Sequence, residues 1–214
     1  MVRKLLLICG ILSSLLYVAT DILLSMRYEG YSYTSQAVSE LSAIGAPTRP
    51  LWIAMSIVYN PLVIAFGIGI WLSAGPKRSL RVSGILLVAY GVVSSLGPLF
   101  PMQLRGAGGL ATDAMHLIAT SVLVLFLLLS IGFGGAARGG WFRLYSIGTI
   151  LTLLVFGVLA GQQAPRAAAG FPTPWLGVIE RVNIYGSLLW VLVFAVVLLL
   201  SQGGPRPRMA AVGD

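Results

Sequence analysis

Apolar residues run almost unbroken through six stretches, at about 4–26, 51–73, 81–100, 113–134, 142–161 and 177–201, separated by segments where Gly, Pro, Arg and Tyr concentrate. Each is close to the ~20 residues a helix needs to cross a hydrocarbon core ~30 Å thick. Backbone groups in lipid must be satisfied within their own segment, so the predicted elements are helices; a membrane barrel would show shorter, alternating segments. The expected fold is all-α: a polytopic integral membrane protein with a six-transmembrane-helix bundle in one domain, residues 1–201. The first stretch follows Arg3 and Lys4 as a secretory signal would. Its apolar run is long for such a signal, and Tyr17 and Ala19 make a poor small-x-small cleavage site, so it reads as a retained helix. Residues 202–214 are too poor in apolar side chains to fold alone and read as a flexible cytoplasmic tail.

The connections alternate in character. Gly75-Pro76-Lys77-Arg78 and the run from Gly134 to Gly140 are short, basic turns between antiparallel neighbours. The connection from Arg27 to Pro50 is longer. Thr34 or Ser35 can cap a helix there and Gly45 with Pro47 can end it, with Ala37, Val38, Leu41 and Ile44 on one face and Gln36, Ser39, Glu40 and Ser42 over the rest. That predicts a short amphipathic helix lying at the interface and roofing the bundle, with Tyr28, Tyr31 and Tyr33 in an aromatic belt. Small residues at helix-contact spacing, Gly157 with Gly161, Gly91 with Ser95 and Gly67 with Gly69, predict close packing within the bundle.

Composition agrees with the periodicity: 57% of residues are hydrophobic and 9% charged, against about a quarter charged in a soluble domain. With the N-terminus in the cytoplasm, Arg3, Lys4, Lys77, Arg78, Arg81, Arg138, Arg143, Arg206 and Arg208 lie on that side, and Arg27, Arg49, Arg105, Arg166 and Arg181 on the other. The bias predicts both termini in the cytoplasm and a multi-pass protein of the cytoplasmic membrane. The net charge of +8 then reads as a topology signal and a grip on anionic headgroups, with membrane lipids as partners and no continuous stripe for nucleic acid. Other membrane-protein subunits are a further class of partner. Cys9 and His116 are each the single residue of their type, so no intrachain disulfide or Cys/His metal site is expected, and no cofactor motif is present.

Five of the six acids, Asp21, Glu29, Glu40, Asp113 and Glu180, fall at or near the outward ends of the apolar stretches. At 1.5 Å per helical residue, Asp21, His116 and Glu180 reach roughly one level, about 5–8 Å below the interface. Helical spacing groups Ser14, Tyr17, Asp21 and Ser25 on the first helix, Asp113, His116 and Thr120 on the fourth, and Glu180, Asn183 and Ser187 on the sixth, all expected to face the interior. Asp113 can cap the fourth helix with His116 bonded to it. Glu180 and Arg181 point in different directions, so Glu180 is expected to meet Arg49 or Arg105, and Arg181 to meet Asp21 or Glu40. Ser56, Tyr59, Asn60 and Pro61 form a polar break in the second helix, where Asn60 or water can satisfy the carbonyl that Pro61 frees.

Val38-Ser39-Glu40-Leu41-Ser42 followed by Gly45-Ala46-Pro47, then Asn60-Pro61, Phe100-Pro101 with His116 downstream, and Gly177-Val178-Ile179-Glu180-Arg181 with Trp190 resemble the prokaryotic six-helix membrane family called domain of unknown function 998. In that family an acidic residue often follows the Phe-Pro, where Met102 and Gln103 stand here. The resemblance implies fold and membrane location and carries no established activity. It strengthens Ser39, Glu40, His116 and Arg181 as site residues.

Three functions compete. The first is binding of a lipid or amphiphile, or an accessory role in a membrane complex, with Asp21, Glu40, Arg49, Arg105, Glu180, Arg181 and Asn183 as ligand-binding residues. The second is an intramembrane serine/histidine hydrolase on a lipid-like ester or amide, with His116 as base, Asp113 its orienter and Ser39 or Ser42 the nucleophile. The third is a small-molecule or proton-coupled transporter, against which the almost wholly apolar inner halves of the helices speak.

Overall fold

A computed structural model describes residues 1–107 and 110–202. The chain forms α1 (Val2–Arg27), α2 (Arg49–Ser73), α3 (Arg78–Ser95), α4 (Leu110–Arg138), α5 (Gly140–Ala168) and α6 (Leu176–Ser201), with two 3-10 turns and no strand among the described residues. Five of the six helices are long and apolar enough to cross a membrane; α3 is the exception. It is 18 residues long, and Arg78 and Arg81 in its first turn and Ser94 and Ser95 in its last lower its hydropathy. The expected tail, 203–214, lies outside the described residues.

Several boundaries differ from the apolar pattern for local reasons. α3 stops at Ser95 instead of near residue 100, and Gly97–Leu99 forms a 3-10 turn, because Pro98 has no N–H to extend the α-helical ladder. α5 runs to Ala168, with Pro165 in its last turn. The expected roof helix is a single 3-10 turn, Val38–Ser42, that starts after Ala37. The backbone just before it bonds to other segments: the Tyr33 carbonyl accepts from Arg181, Ser35 from Arg105 and Thr173, and Gln36 from Tyr31, while Thr34 accepts from the Val178 N–H. Carbonyls so engaged cannot form an α-helical turn from Thr34 or Ser35.

The helices pack in a ring, each against its neighbours in sequence, and α6 closes on α1. Consecutive helices alternate in direction, so the three longer connections gather at one end and the two short ones, with the start of α1 and the end of α6, at the other. Glycine sets the closest approach. A Cβ on Gly67 of α2 would meet the Gly84 carbonyl of α3 at 2.7 Å, and one on Gly84 would meet the Gly67 carbonyl at 2.7 Å. Gly69 lies similarly against Leu6 and Leu7 of α1, and Gly91 against Ile64 and the Asn60 carbonyl. Gly157 approaches the Asn183 side chain, whereas a Cβ on Gly161 would meet nothing within 4 Å, so that pair does not form one contact.

The two ends of the bundle are filled differently. Toward the short connections, Phe66, Phe142, Trp190 and Phe194 join α2, α5 and α6, with ring centroids 4.7 Å apart for Trp190 and Phe194 and 5.2 Å for Phe142 and Phe194. The Trp190 Nε1–H finds an acceptor in Ser146 Oγ at 2.9 Å, as a buried indole requires. Ser83 and Ser130 bond each other across α3 and α4. Near the middle of α2, Asn60 is 3% exposed and its Oδ1 has no partner among the described residues, so its side-chain carbonyl goes unused at the Pro61 break.

The same substitution should act oppositely at two glycines. Gly67→Ala forces α2 from α3 and should destabilise the protein by about 1–3 kcal/mol; Gly161→Ala gains helix propensity at no steric cost and should leave the melting midpoint unchanged or raise it. Thermal unfolding in detergent checks both, and equal shifts would contradict the packing.

Candidate functional site

At the long-connection end, Asp21 of α1 and Arg181 of α6 meet in a bidentate pair. Nε donates to Oδ2 at 2.8 Å and Nη2 to Oδ1 at 2.9 Å. Both are buried, at 0% and 3% exposure. The remaining guanidinium hydrogens are also used: Nη1 donates to the Tyr33 carbonyl at 2.6 Å and the Gly177 carbonyl at 3.2 Å, and Nη2 to Tyr31 Oη at 3.0 Å. All five donors thus have acceptors, which is what allows a guanidinium to be buried. The Tyr33 ring stacks on it, 3.5 Å from guanidinium carbon to ring centroid. Asp21 takes a further bond from Tyr185 Oη at 2.5 Å. With that proton committed, Tyr33 Oη donates to Tyr185 Oη at 2.9 Å.

A second pair ties the connections together. Arg105 Nη2 donates to Glu40 Oε1 at 2.7 Å, and Nη1 donates to Thr173 Oγ1 at 2.7 Å and the Phe171 carbonyl at 3.1 Å. Glu40 also accepts from Gln36 Nε2 at 2.8 Å and the Ala37 N–H at 3.0 Å. One guanidinium therefore joins the first, second and third long connections. Glu40 is 1% exposed, not on the solvent side where amphipathicity would place it. Burial pushes the Tyr31 phenol above its ordinary range, by more than the adjacent Arg181 pulls it down. It stays protonated and donates to the Gln36 and Ala37 carbonyls. Below this cap the first connection rests on Gly177, where a Cβ would collide with the Tyr33 and Gln36 carbonyls.

The other expected site residues are dispersed. Glu180 meets neither Arg49 nor Arg105; its Oε2 accepts the Val38 N–H at 2.5 Å. Arg49 donates to the Ser42 carbonyl at 2.6 Å. Asp113 does not cap its own helix but accepts the Gln103 N–H at 2.9 Å, and His116 Nδ1 is 2.8 Å from the Phe100 carbonyl. A carbonyl only accepts, so Nδ1 carries the proton and the Nε2 lone pair is left for another partner. Ser39 Oγ donates to Met102 Sδ at 3.2 Å and Ser42 Oγ to the Ser39 carbonyl at 3.0 Å. Asn183 Nδ2 reaches the Leu153 carbonyl of α5 at 3.3 Å. Thr120 is exposed, so the fourth-helix stripe does not all face inward.

The model of one family, Protein of unknown function (DUF998), matches residues 11–197. The chain belongs to the DUF998 family. Searches of curated proteins and of solved structures each returned no match. In this DUF998 chain the pattern Val38 to Ser42 and the pattern Gly177 to Arg181 face one another: Val38 bonds Glu180, Val178 bonds Thr34, and Gly177 seats the connection. The residues that sequence reasoning missed are Tyr185, Gln36 and Thr173 as polar partners, and Tyr31 and Tyr33, expected in a belt and found around Arg181. Tyr185 was within reach, being four residues after Arg181 on the same helical face. Among the described residues no group of three His, Cys, Asp or Glu could hold a metal.

Removing either member of the Asp21–Arg181 pair strands the other charge. Asp21→Ala and Arg181→Ala should each cost about 3–5 kcal/mol, and Asp21→Ala/Arg181→Ala together less than their sum. Arg181→Lys, lacking the planar fork, should not restore stability. A thermal-unfolding cycle in detergent measures this; additive losses would contradict the pairing.

Proposed function

We propose that the chain spans the membrane six times with both termini in the cytoplasm, and that its outer end binds a lipid or amphiphile through Glu180. The Lys and Arg bias supports that orientation, and the 18 residues of α3 make a helix of ~27 Å, near the hydrocarbon thickness. On this reading the 3-10 turn and its tyrosines lie at the outer headgroup level.

Glu180 carries the binding proposal. An ionisable group inside a spanning helix costs up to about 2.5–3.5 kcal/mol at mid-membrane unless it is paired or serves a site. Asp21 and Glu40 have guanidinium partners; Glu180, among the described residues, has the Val38 N–H and no cation. A hydroxyl or ammonium on an amphiphile's head supplies the missing donor. Tyr17 lies within electrostatic reach of Glu180 and packs edge-on against Trp52 and Tyr59, with centroids at 5.6 and 5.3 Å, so an apolar aromatic wall adjoins the acid. The hydrolase alternative needs a serine hydroxyl on His116, and Ser39 and Ser42 donate elsewhere. A carrier needs a polar route past Phe66, Phe142, Trp190 and Phe194.

Mass spectrometry of what copurifies tests the proposal. Glu180→Gln keeps an acceptor for the Val38 N–H, so the fold should hold, while a lipid or amphiphile retained by the wild type should fall several-fold. Equal retention by wild type and variant would overturn the reading.

A further inference from the structure

A second site stands at the opposite end of the bundle, where α1 begins beside the ends of α2 and α6. Met1, Val2, Arg3, Lys4, Leu72 and Gln202 line a cavity there of about 520 Å³. Three independent features give it an excess of hydrogen-bond donors and positive charge. α1 starts with no side-chain cap and no acid in its first turn, so free N–H groups and the positive end of the helix dipole stand uncompensated beside the cavity. Arg3 and Lys4 line it and no acidic residue does. Gln202 Nε2 is fully buried and has no acceptor among the described residues, an arrangement that is costly unless something supplies one. The other lining side chains, Met1, Val2 and Leu72, are apolar.

We propose that this cavity binds an anionic phospholipid, its phosphate accepting from Gln202, Arg3, Lys4 and the first turn of α1, and its acyl portion lying against Val2 and Leu72. Phosphate is the chemistry that helix N-termini and basic side chains recognise together. The apolar wall distinguishes a lipid from a free anion. The inference needs only that this end of the bundle meets a membrane surface. It is independent of Glu180, and the two proposals fail separately.

The test uses the full chain reconstituted in phosphatidylcholine vesicles containing a trace of spin-labelled phosphatidylglycerol or, in parallel, spin-labelled phosphatidylcholine. The wild type should immobilise phosphatidylglycerol preferentially. Arg3→Gln/Lys4→Gln should reduce its association by roughly fivefold per basic residue removed. Gln202→Glu, the same size with the donor replaced by a charge, should bring it to the phosphatidylcholine level. Arg78→Gln/Arg81→Gln removes equal charge at the same end outside the cavity and should keep most of the preference. The proposal is overturned if that control loses as much as Arg3→Gln/Lys4→Gln, or if Gln202→Glu has no effect. Displacement of the labelled phosphatidylglycerol by inorganic phosphate at matched ionic strength would overturn the assignment to lipid. Glu180→Gln should leave this preference unchanged.

Discussion

The bond between Asp21 and Arg181 is the constraint on which the long-connection end is built. It joins the first helix to the last, and so closes the ring at the seam that no covalent connection holds. Because the pair is buried, neither partner can turn to water if the other is lost. Its geometry also reaches beyond the two helices. The guanidinium that grips Asp21 holds the Tyr33 carbonyl and lies under the Tyr33 ring, so the seam and the first connection are organised by the same five N–H groups. Tyr185, one turn along α6, completes the shell from below.

From that seam the order spreads outward by shared backbone. The carbonyls of Tyr33, Thr34, Ser35 and Gln36 each accept from a different part of the protein, which fixes the segment in an extended course and leaves helical geometry only to the short turn after Ala37. Glu40 closes that turn on the Ala37 N–H and turns its other oxygen toward Gln36 and Arg105. Arg105 then carries the restraint to Thr173 and Phe171. The result is a cap held by two ion pairs and a series of main-chain bonds, seated on a helix start where Gly177 alone leaves room. Against this the short-connection end is an aromatic interior of Phe66, Phe142, Trp190 and Phe194. The polarity of the molecule is therefore axial, and the one acid of the cap with no cation among the described residues, Glu180, sits directly beneath the turn.

Parts of this were legible beforehand. Apolar runs located the helices to within a few residues, since helix length and hydropathy are local properties, and the ends that moved are those where Pro98 or Pro165 alters the backbone. The Asp21 and Arg181 side chains were each expected inside, since a charge at that depth has few alternatives. Which acid Arg181 would take was open between Asp21 and Glu40. Glu180 was assigned an arginine and found an amide. Glu40 looked like the polar face of an amphipathic helix and is buried. Pattern treats a polar residue as a vote for solvent, whereas a carboxylate with a guanidinium, an amide and a backbone N–H around it is satisfied inside.

The sequence alone determined that the chain is a helical membrane protein, that its acids collect at one end, and which family it resembles, because those follow from span length, charge count and short motifs read along one strand of residues. The tertiary structure alone decided the partners. Asp21 and Arg181 lie 160 positions apart and Arg105 and Glu40 lie 65 apart, so their meeting depends on how the ring closes and how three connections cross over one another. Periodicity carries no information about that, because a hydrogen bond is set by distance and direction in space, and the sequence states only order.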